Sequence, residues 1–433
     1  MKVYTFPQGG IQFEDSTVPP RCASVNAFLP SLSVISLAQH AGSQAHPTVE
    51  VGEQVQEGML IGQGRGPGSA NIHATVPGRV VRMVSWKTAE GYTTDGLVIR
   101  MEGAFKKLGK KEEVFPWENL SAGTILRIIS DYGIVEMEMP GRPVSDMISD
   151  FKSSEDSITL VVRCVFDDPW LAADYALCQE RLKAVTEGSV ITAKAAKASR
   201  ILFAVSYGEK DLGAGLLAEA RQWDIPVSLV LVGSRYPQRN RRELELVLKL
   251  YEKKKNESLG AFLILGPAAL AAVHDAVKLK KPILDRYIAV GGSAVKNPQI
   301  LKARIGTRMS EIFAECGGFV GRPKRIAQGS PLRGRAVINL DEPVIKTSAA
   351  VFALLEARAG GEMSRGCISC GECRSVCPIG LDPEELYKRS LASGKKGGSG
   401  GVGECHGCGC CEAVCPSRLP LSTAIIQYAR GGN

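Results

Sequence analysis

Eight cysteines near the C-terminus repeat one spacing twice. Cys367, Cys370, Cys373 and Cys377 form C-x2-C-x2-C-x3-C followed by Pro378, and Cys405, Cys408, Cys411 and Cys415 form the same run followed by Pro416. Thiolates are soft ligands, and a cubane [4Fe-4S] cluster needs four of them converging from several directions. Three cysteines at this spacing can wrap one short loop around three irons, so the fourth ligand must come from elsewhere. Zinc also takes paired C-x2-C, but it wants four ligands in total and no proline-terminated four-cysteine run. Disulfides would need an oxidising compartment and usually a small, loop-rich chain. Cys410 is a spare thiol inside the second run; it can compete as a ligand, although the repeat favours Cys411.

Each run resembles the C-x2-C-x2-C-x3-C-P motif of bacterial ferredoxins. In two-cluster ferredoxins the fourth cysteine of each run ligates the other cluster. The resemblance therefore implies Cys367, Cys370, Cys373 and Cys415 on one [4Fe-4S] cluster, with Cys405, Cys408, Cys411 and Cys377 on the other. Crossed ligation sets the two clusters side by side, the arrangement an electron relay needs.

The elements before these runs must position them. At 433 residues and 44% hydrophobic content the chain can bury more than one domain's core. A net charge of +8 on 53 basic and 45 acidic side chains implies no nucleic-acid footprint. The opening MKVYTFPQGG has no charged-then-apolar signal, and no apolar run reaches the roughly 18 residues that span a bilayer. Reducing cytoplasm and, at most, peripheral membrane contact are expected.

Residues 1–102 read as short β-runs punctuated by glycine and proline. Val51 to Gly62 followed by Ile72 to Val80 resembles the barrel-sandwich hairpins of biotinyl and lipoyl domains. The intervening Gln63 to Asn71 carries no lysine for a swinging arm, so this copy is expected to be structural. Residues 103–281 alternate strand and helix: strands at 157–165, 200–206, 226–233 and 261–265, helices at 170–186, 210–223, 241–253 and 268–279. That alternation predicts a mostly parallel, Rossmann-like sheet. Gly213-x-Gly215-x-x-Ala218 falls inside a helical pattern, where small residues serve helix packing better than phosphate contact. Residues 282–350 predict a β-grasp module, with strands at 286–291 and 335–340 and a helix at 309–316 ending in Gly317-Gly318. Cys316 is assigned to its core. The remainder, 351–433, holds the two-cluster ferredoxin-like α-helical domain, preceded by a helix at 347–357 and interrupted by a Gly/Ser/Lys linker at 393–403. The fold class is thus multidomain α+β.

Further motifs join these: Leu37-x-Gln39-His40-x-Gly42, Ser69-Ala70-x-Ile72-His73, Gly291 to Pro298, Arg304 to Thr307, Cys316 to Phe319 and Asp341 to Lys346. In this order, over nearly the whole chain, they resemble the C subunit of the Rnf complex, a membrane-associated ferredoxin:NAD oxidoreductase that couples electron transfer to ion pumping. The resemblance implies other Rnf subunits as partners, ferredoxin or flavodoxin as donor, and a peripheral place on the cytoplasmic face of the cell membrane. It also implies a middle domain like the flavin- and NADH-binding subunit of respiratory complex I.

There the chain departs. Where that family has a glycine-rich loop, Glu136-Met137-Glu138-Met139-Pro140-Gly141-Arg142-Pro143 stands; two carboxylates would repel a phosphate. The next acidic segment reads Cys164 to Trp170, and the later glycine turn becomes Tyr236 to Arg241. The expectation is a retained fold that has lost FMN and NADH, leaving single-electron relay through two [4Fe-4S] clusters and no catalytic residues. A soluble relative serving another reductase, of the cobalamin or amino-acid type, is the alternative. A non-redox scaffold stabilised by clusters is a lesser one.

Overall fold

The computed structural model describes residues 2–13, 19, 23–88, 92–151, 157–356, 366–392 and 402–429, and the statements below concern these. The linker expected at 393–403 lies almost wholly outside them.

The parallel sheet runs Val3–Tyr4, Val227–Val232, Arg200–Ser206, Ile158–Cys164, Ala261–Leu265. Its central strands are covered on both faces, which is why they read as unbroken apolar runs; every residue of Ile158–Cys164 is buried. In chain order the strands step outward from Ile158–Cys164 to Val227–Val232, and then Ala261–Leu265 returns to the other side. Strand order reverses between Ile158–Cys164 and Ala261–Leu265, and the crevice beyond the carboxyl ends at such a reversal is where open α/β sheets bind ligands.

The helix expected over 170–186 is broken into Pro169–Leu171, Ala173–Glu180 and Leu182–Ala196. The break at Arg181 sets its guanidinium in a two-pronged pair with Asp275, at 2.7 and 3.0 Å. Leu182–Ala196 then lies close against Pro267–Lys278: a Cβ on Gly188 would stand 1.9 Å from the Leu270 carbonyl oxygen. Gly213 and Gly215 sit within the helix Lys210–Ala220 and face Leu229 and Leu182, in keeping with packing.

Ahead of this domain, a four-stranded sheet (Leu32–Ser36, Thr93–Met101, Gly78–Lys87, Gln54–Val55) and a three-stranded one (His46–Pro47, Leu60–Gln63, Ile72–His73) enclose a core that includes Ile35, Ile61, Ile72, Val80 and Ile99. The lysine-free tip is anchored rather than projecting, since Gly68 N donates to Asp146 Oδ2 (2.8 Å) and Asn71 Nδ2 to the Asp131 carbonyl (3.0 Å). Two N-terminal strands leave this unit. Val3–Tyr4 joins the parallel sheet, and Val25–Asn26 joins the edge of the sheet that follows.

That six-stranded sheet is ordered Arg335–Ala336, Arg325–Gln328, Ala350–Leu354, Asp285–Gly291, Gln299–Arg304, Val25–Asn26. The helix expected at 347–357 is corrected here to the strand Ala350–Leu354. Its residues favour helix locally, but the segment is paired on both sides, parallel to Asp285–Gly291 and antiparallel to Arg325–Gln328, and ladder plus burial outweigh propensity. The strand expected at 335–340 shortens to Arg335–Ala336. Met309–Glu315 does end at Gly317 and Gly318, both left-handed, and Cys316 is fully buried.

Candidate iron–sulfur centres and the crevice beside them

Both cysteine runs adopt one backbone geometry. The third position is left-handed in each (Ser369 φ 52°, Gly407 φ 67°), and so is the fifth (Gly371 φ 80°, Gly409 φ 81°). The fifth-position glycine opens a short helix, Glu372–Ser375 or Cys410–Val414, which carries the third cysteine. Two sharp turns within five residues bend the first three thiols of a run around one point, and glycine makes the second turn free of Cβ strain.

The eight thiols fall into two groups. Cys367, Cys370, Cys373 and Cys415 line one cavity together with Leu419 and Leu421, whereas Cys377, Cys405, Cys408 and Cys411 line another with Leu381, Ile425 and the spare thiol Cys410. Each fourth cysteine therefore stands with the three thiols of the opposite run. Cys373 and Cys411 pack in one apolar cluster with Leu419 and Leu421, so the cavities are neighbours. Two helices, Pro383–Ala392 and Leu421–Ala429, back them through Leu386 and Ile425.

The donor set fits a four-iron cluster better than a single ion. Among the described residues no three His, Cys, Asp or Glu side chains converge as one metal ion would require. A tetrahedral zinc site holds its sulfurs about 3.8 Å apart, given Zn–S near 2.3 Å, but a cubane presents separate irons to separate thiolates. Burial holds the thiols of Cys373, Cys377, Cys405 and Cys411 above their usual range. They stay protonated until a metal displaces the proton. Backbone N–H groups already point at sulfur, from Ser369 to Cys367 (3.4 Å) and from Leu381 to Cys377 (3.2 Å). Cys410 is buried at the second cavity, its Sγ 4.0 Å from the Tyr236 carbonyl.

The surroundings are unequal. Around the first cavity Cys367, Ile368 and Cys370 are exposed. The second is pressed against the rest of the chain: Tyr236 Oη donates to the Cys408 carbonyl (2.7 Å), Gly10 N to the Val376 carbonyl (2.9 Å), and Arg242 pairs with Glu404 (3.0 Å). His406 Nε2 lies 3.3 Å from the buried Glu243 carboxylate. The sequence carries no local signal for these contacts; within it, Tyr236 stands out only as part of an altered glycine turn.

The three altered segments meet in the sheet's crevice. Arg163, next to last in the strand Ile158–Cys164, pairs with Glu136 (3.2 Å) and Glu138 (2.8 Å). Glu138 also pairs with Arg239, whose backbone N–H donates to Asp167 (3.1 Å) and whose guanidinium reaches Asp174 (3.4 Å). Glu136 Oε2 accepts from Gly266 N (3.0 Å), which precedes the helix Pro267–Lys278. A helix start is a natural anion site, and here the chain's own carboxylate takes it. Burial pushes Glu136 up to about 7 against the pull of Arg163. Burial would raise Glu138 too, but Arg163 and Arg239 hold it down at about 2.

Comparison with known proteins bears on both features. Residues 5–104 match the RnfC barrel sandwich hybrid domain, 287–337 the SLBB domain and 361–416 the 4Fe-4S dicluster domain. The C subunit of the ion-translocating oxidoreductase complex of Rhodobacter capsulatus is 31% identical over 396 residues, covering 90% of this chain and 76% of that one. The chain belongs to the family of C subunits of ion-translocating oxidoreductase complexes. Another relative, the C subunit of the proton-translocating ferredoxin:NAD(+) oxidoreductase complex of Clostridium ljungdahlii, is 27% identical over 88% of this chain and 83% of its own. An NAD+-reducing [NiFe]-hydrogenase structure superposes with a TM-score of 0.51 at 13% identity, over 73% of this chain and 61% of the hydrogenase chain. That likeness shows shared fold alone. This family member is thus a mixed α/β multidomain protein with a barrel-sandwich domain before the sheet and a 4Fe-4S ferredoxin-like region after it. Among its described residues no helix is long and apolar enough to cross a membrane.

Proposed function

We propose that this protein relays single electrons through two [4Fe-4S] clusters within an Rnf-type ion-translocating complex, without a flavin of its own. The observation that carries the reading is that the eight cysteines of the two runs divide between two adjoining cavities, four to each, with Cys410 as a fifth thiol at the second. Cys367, Cys370, Cys373 and Cys415 are the ligands of one cluster; Cys405, Cys408, Cys411 and Cys377 are those of the other. Such clusters supply reversible one-electron storage at potentials tuned by burial and by hydrogen bonds to sulfur. The chain's own part is to fix the thiolates, to aim Ser369 N–H and Leu381 N–H at two of them, and to hold the second set dry against Tyr236. Cys410, turned toward the Tyr236 carbonyl, is left out of the set.

The crevice supports the flavin-free part. A phosphate entering the crevice would find the Gly266 N–H already taken by Glu136 and the guanidinium of Arg239 by Glu138. With no hydride-accepting cofactor, electrons enter and leave one at a time, from ferredoxin or flavodoxin and toward other members of the complex. The chain then acts peripherally at the membrane, held by those partners. Anaerobic purification with iron, sulfide and flavin measured together tests this: about eight irons and no flavin are expected. Stoichiometric FMN would defeat the flavin-free reading.

A further inference from the structure

Beyond the strand Thr93–Met101 the chain reads Lys106-Lys107-Leu108-Gly109-Lys110-Lys111, a leucine and a glycine between two pairs of lysines. Lys110 N donates to the Lys107 carbonyl at 3.3 Å, and Gly109 is left-handed at φ +72°, the third place of a β-turn, where glycine is favoured. A Cβ on Gly109 would meet nothing within 4 Å, so the tip of the turn stands clear of the described chain around it.

The turn is held at both shoulders. Before it, the Phe105 ring packs on the barrel-sandwich core, 5.6 Å from the Arg304 guanidinium. The backbone N–H groups of Lys107 and Leu108 donate to one carboxylate oxygen of Glu57, at 2.6 and 3.3 Å, and the buried Glu57 is itself fixed by Arg304 at 2.9 Å. After it, Phe115 N donates to the Lys278 carbonyl at 2.8 Å, and the Lys280 ammonium lies 5.7 Å from the Phe115 ring.

The surface presented by this frame is apolar at its tip and positive around it. Leu108 is 46% exposed and Val114 58%. Lys107 directs its ammonium to the Leu279 carbonyl (3.2 Å), but Lys106, Lys110 and Lys111 are exposed and form no ion pair among the described residues. Glu112 and Glu113 follow, yet four lysines against two glutamates leave the segment positive. The neighbouring acids Glu57 and Glu102 are already paired, with Arg304 and Arg79. A stable protein partner needs roughly 1,200–2,000 Å2 of matched surface, and a single projecting turn is too small and too convex for that. A lipid surface asks for less: an aliphatic tip at the headgroup–acyl boundary, ringed by ammonium groups on anionic headgroups.

We propose that the turn from Lys107 to Lys110 is a membrane finger, seating Leu108 in an anionic lipid surface with Lys106, Lys110 and Lys111 on the headgroups. The inference deepens the peripheral part of the reading above and is independent of its electron chemistry. The chain then touches lipid itself and is not held at the membrane by partners alone.

Co-sedimentation of the anaerobic holoprotein with phosphatidylcholine vesicles, with or without phosphatidylglycerol, is the test; iron and flavin per chain are assayed on the same samples. Binding is expected only to vesicles that contain phosphatidylglycerol, and it should fall as salt is raised. Lys110→Gln with Lys111→Gln should weaken it about tenfold or more. Leu108→Ser should weaken it about threefold or more at unchanged charge. All three positions are exposed, so iron content should stay at the level of the unsubstituted chain. Absence of binding to the anionic vesicles overturns this inference and leaves the relay reading standing. So does full binding by Leu108→Ser, which would mark a purely electrostatic contact of the kind an acidic protein makes. Stoichiometric flavin overturns the relay reading and leaves the membrane finger untouched.

Discussion

Tyr236 donates its phenol to the backbone carbonyl of Cys408 over 2.7 Å, joining a turn of the α/β domain to the loop of the second thiol set. The ring is 1% exposed and packs against Phe13 at 5.3 Å between centroids. Tyr236→Phe keeps that packing and strands the carbonyl. The expected cost is about 1–2 kcal/mol of stability, read as a lower denaturation midpoint. One of two cluster signals should also decay faster in air. Equal decay of both would mean that the contact does not belong to the second cluster.

The crossed grouping of cysteines predicts how double substitutions combine. Cys377→Ala with Cys405→Ala removes two ligands from one cavity and should leave about four irons per chain. Cys377→Ala with Cys373→Ala touches both cavities and should damage both clusters. If the second pair spares a cluster and the first does not, each run serves its own cluster.

Gly9 makes the N-terminal segment part of this support. Its φ is +66°, and a Cβ there would stand 2.5 Å from the carbonyl oxygen of Cys377. Gly9→Ala combines left-handed strain with a clash against backbone, at a cost of about 2 kcal/mol or more. Thermal unfolding of the anaerobic protein should shift downward, with the second cluster lost first. An unchanged midpoint would detach this segment from the cluster's support.

Lys346 joins three parts of the chain. The residue is 2% exposed and its amine donates to the carbonyls of Asn71 and Gly133, both at 2.7 Å, while its backbone N–H donates to Gln39. Burial pulls the amine from its ordinary 10.5 down to about 7. Between these values the unfolded chain holds the proton that the folded chain has released, so stability rises as pH increases through that window. Lys346→Met should flatten the rise between about pH 7 and 9, measured as the difference between the two chains' melting temperatures. Parallel profiles would contradict this.

The thiol chemistry was legible because ligand spacing is local: four cysteines within eleven positions state their purpose without the fold. Strands of the parallel sheet were legible too, since burial on both faces writes an unbroken apolar run. What sequence did not reveal depends on distant partners. Val3–Tyr4 finds its place only beside Leu231 and Val232, and Ala350–Leu354 becomes a strand only between two others. The altered crevice segments could be read as losses one by one. That Arg163 and Arg239 bind the new carboxylates needed the fold, because these residues are brought together from three separated stretches of chain.

The most direct test of the account is to mix anaerobic, oxidised protein rapidly with either reduced ferredoxin or NADH and follow cluster absorbance. One-electron relay without flavin predicts fast bleaching by ferredoxin and none by NADH on the same timescale. Fast bleaching by NADH would show a working hydride site in the crevice and contradict the account.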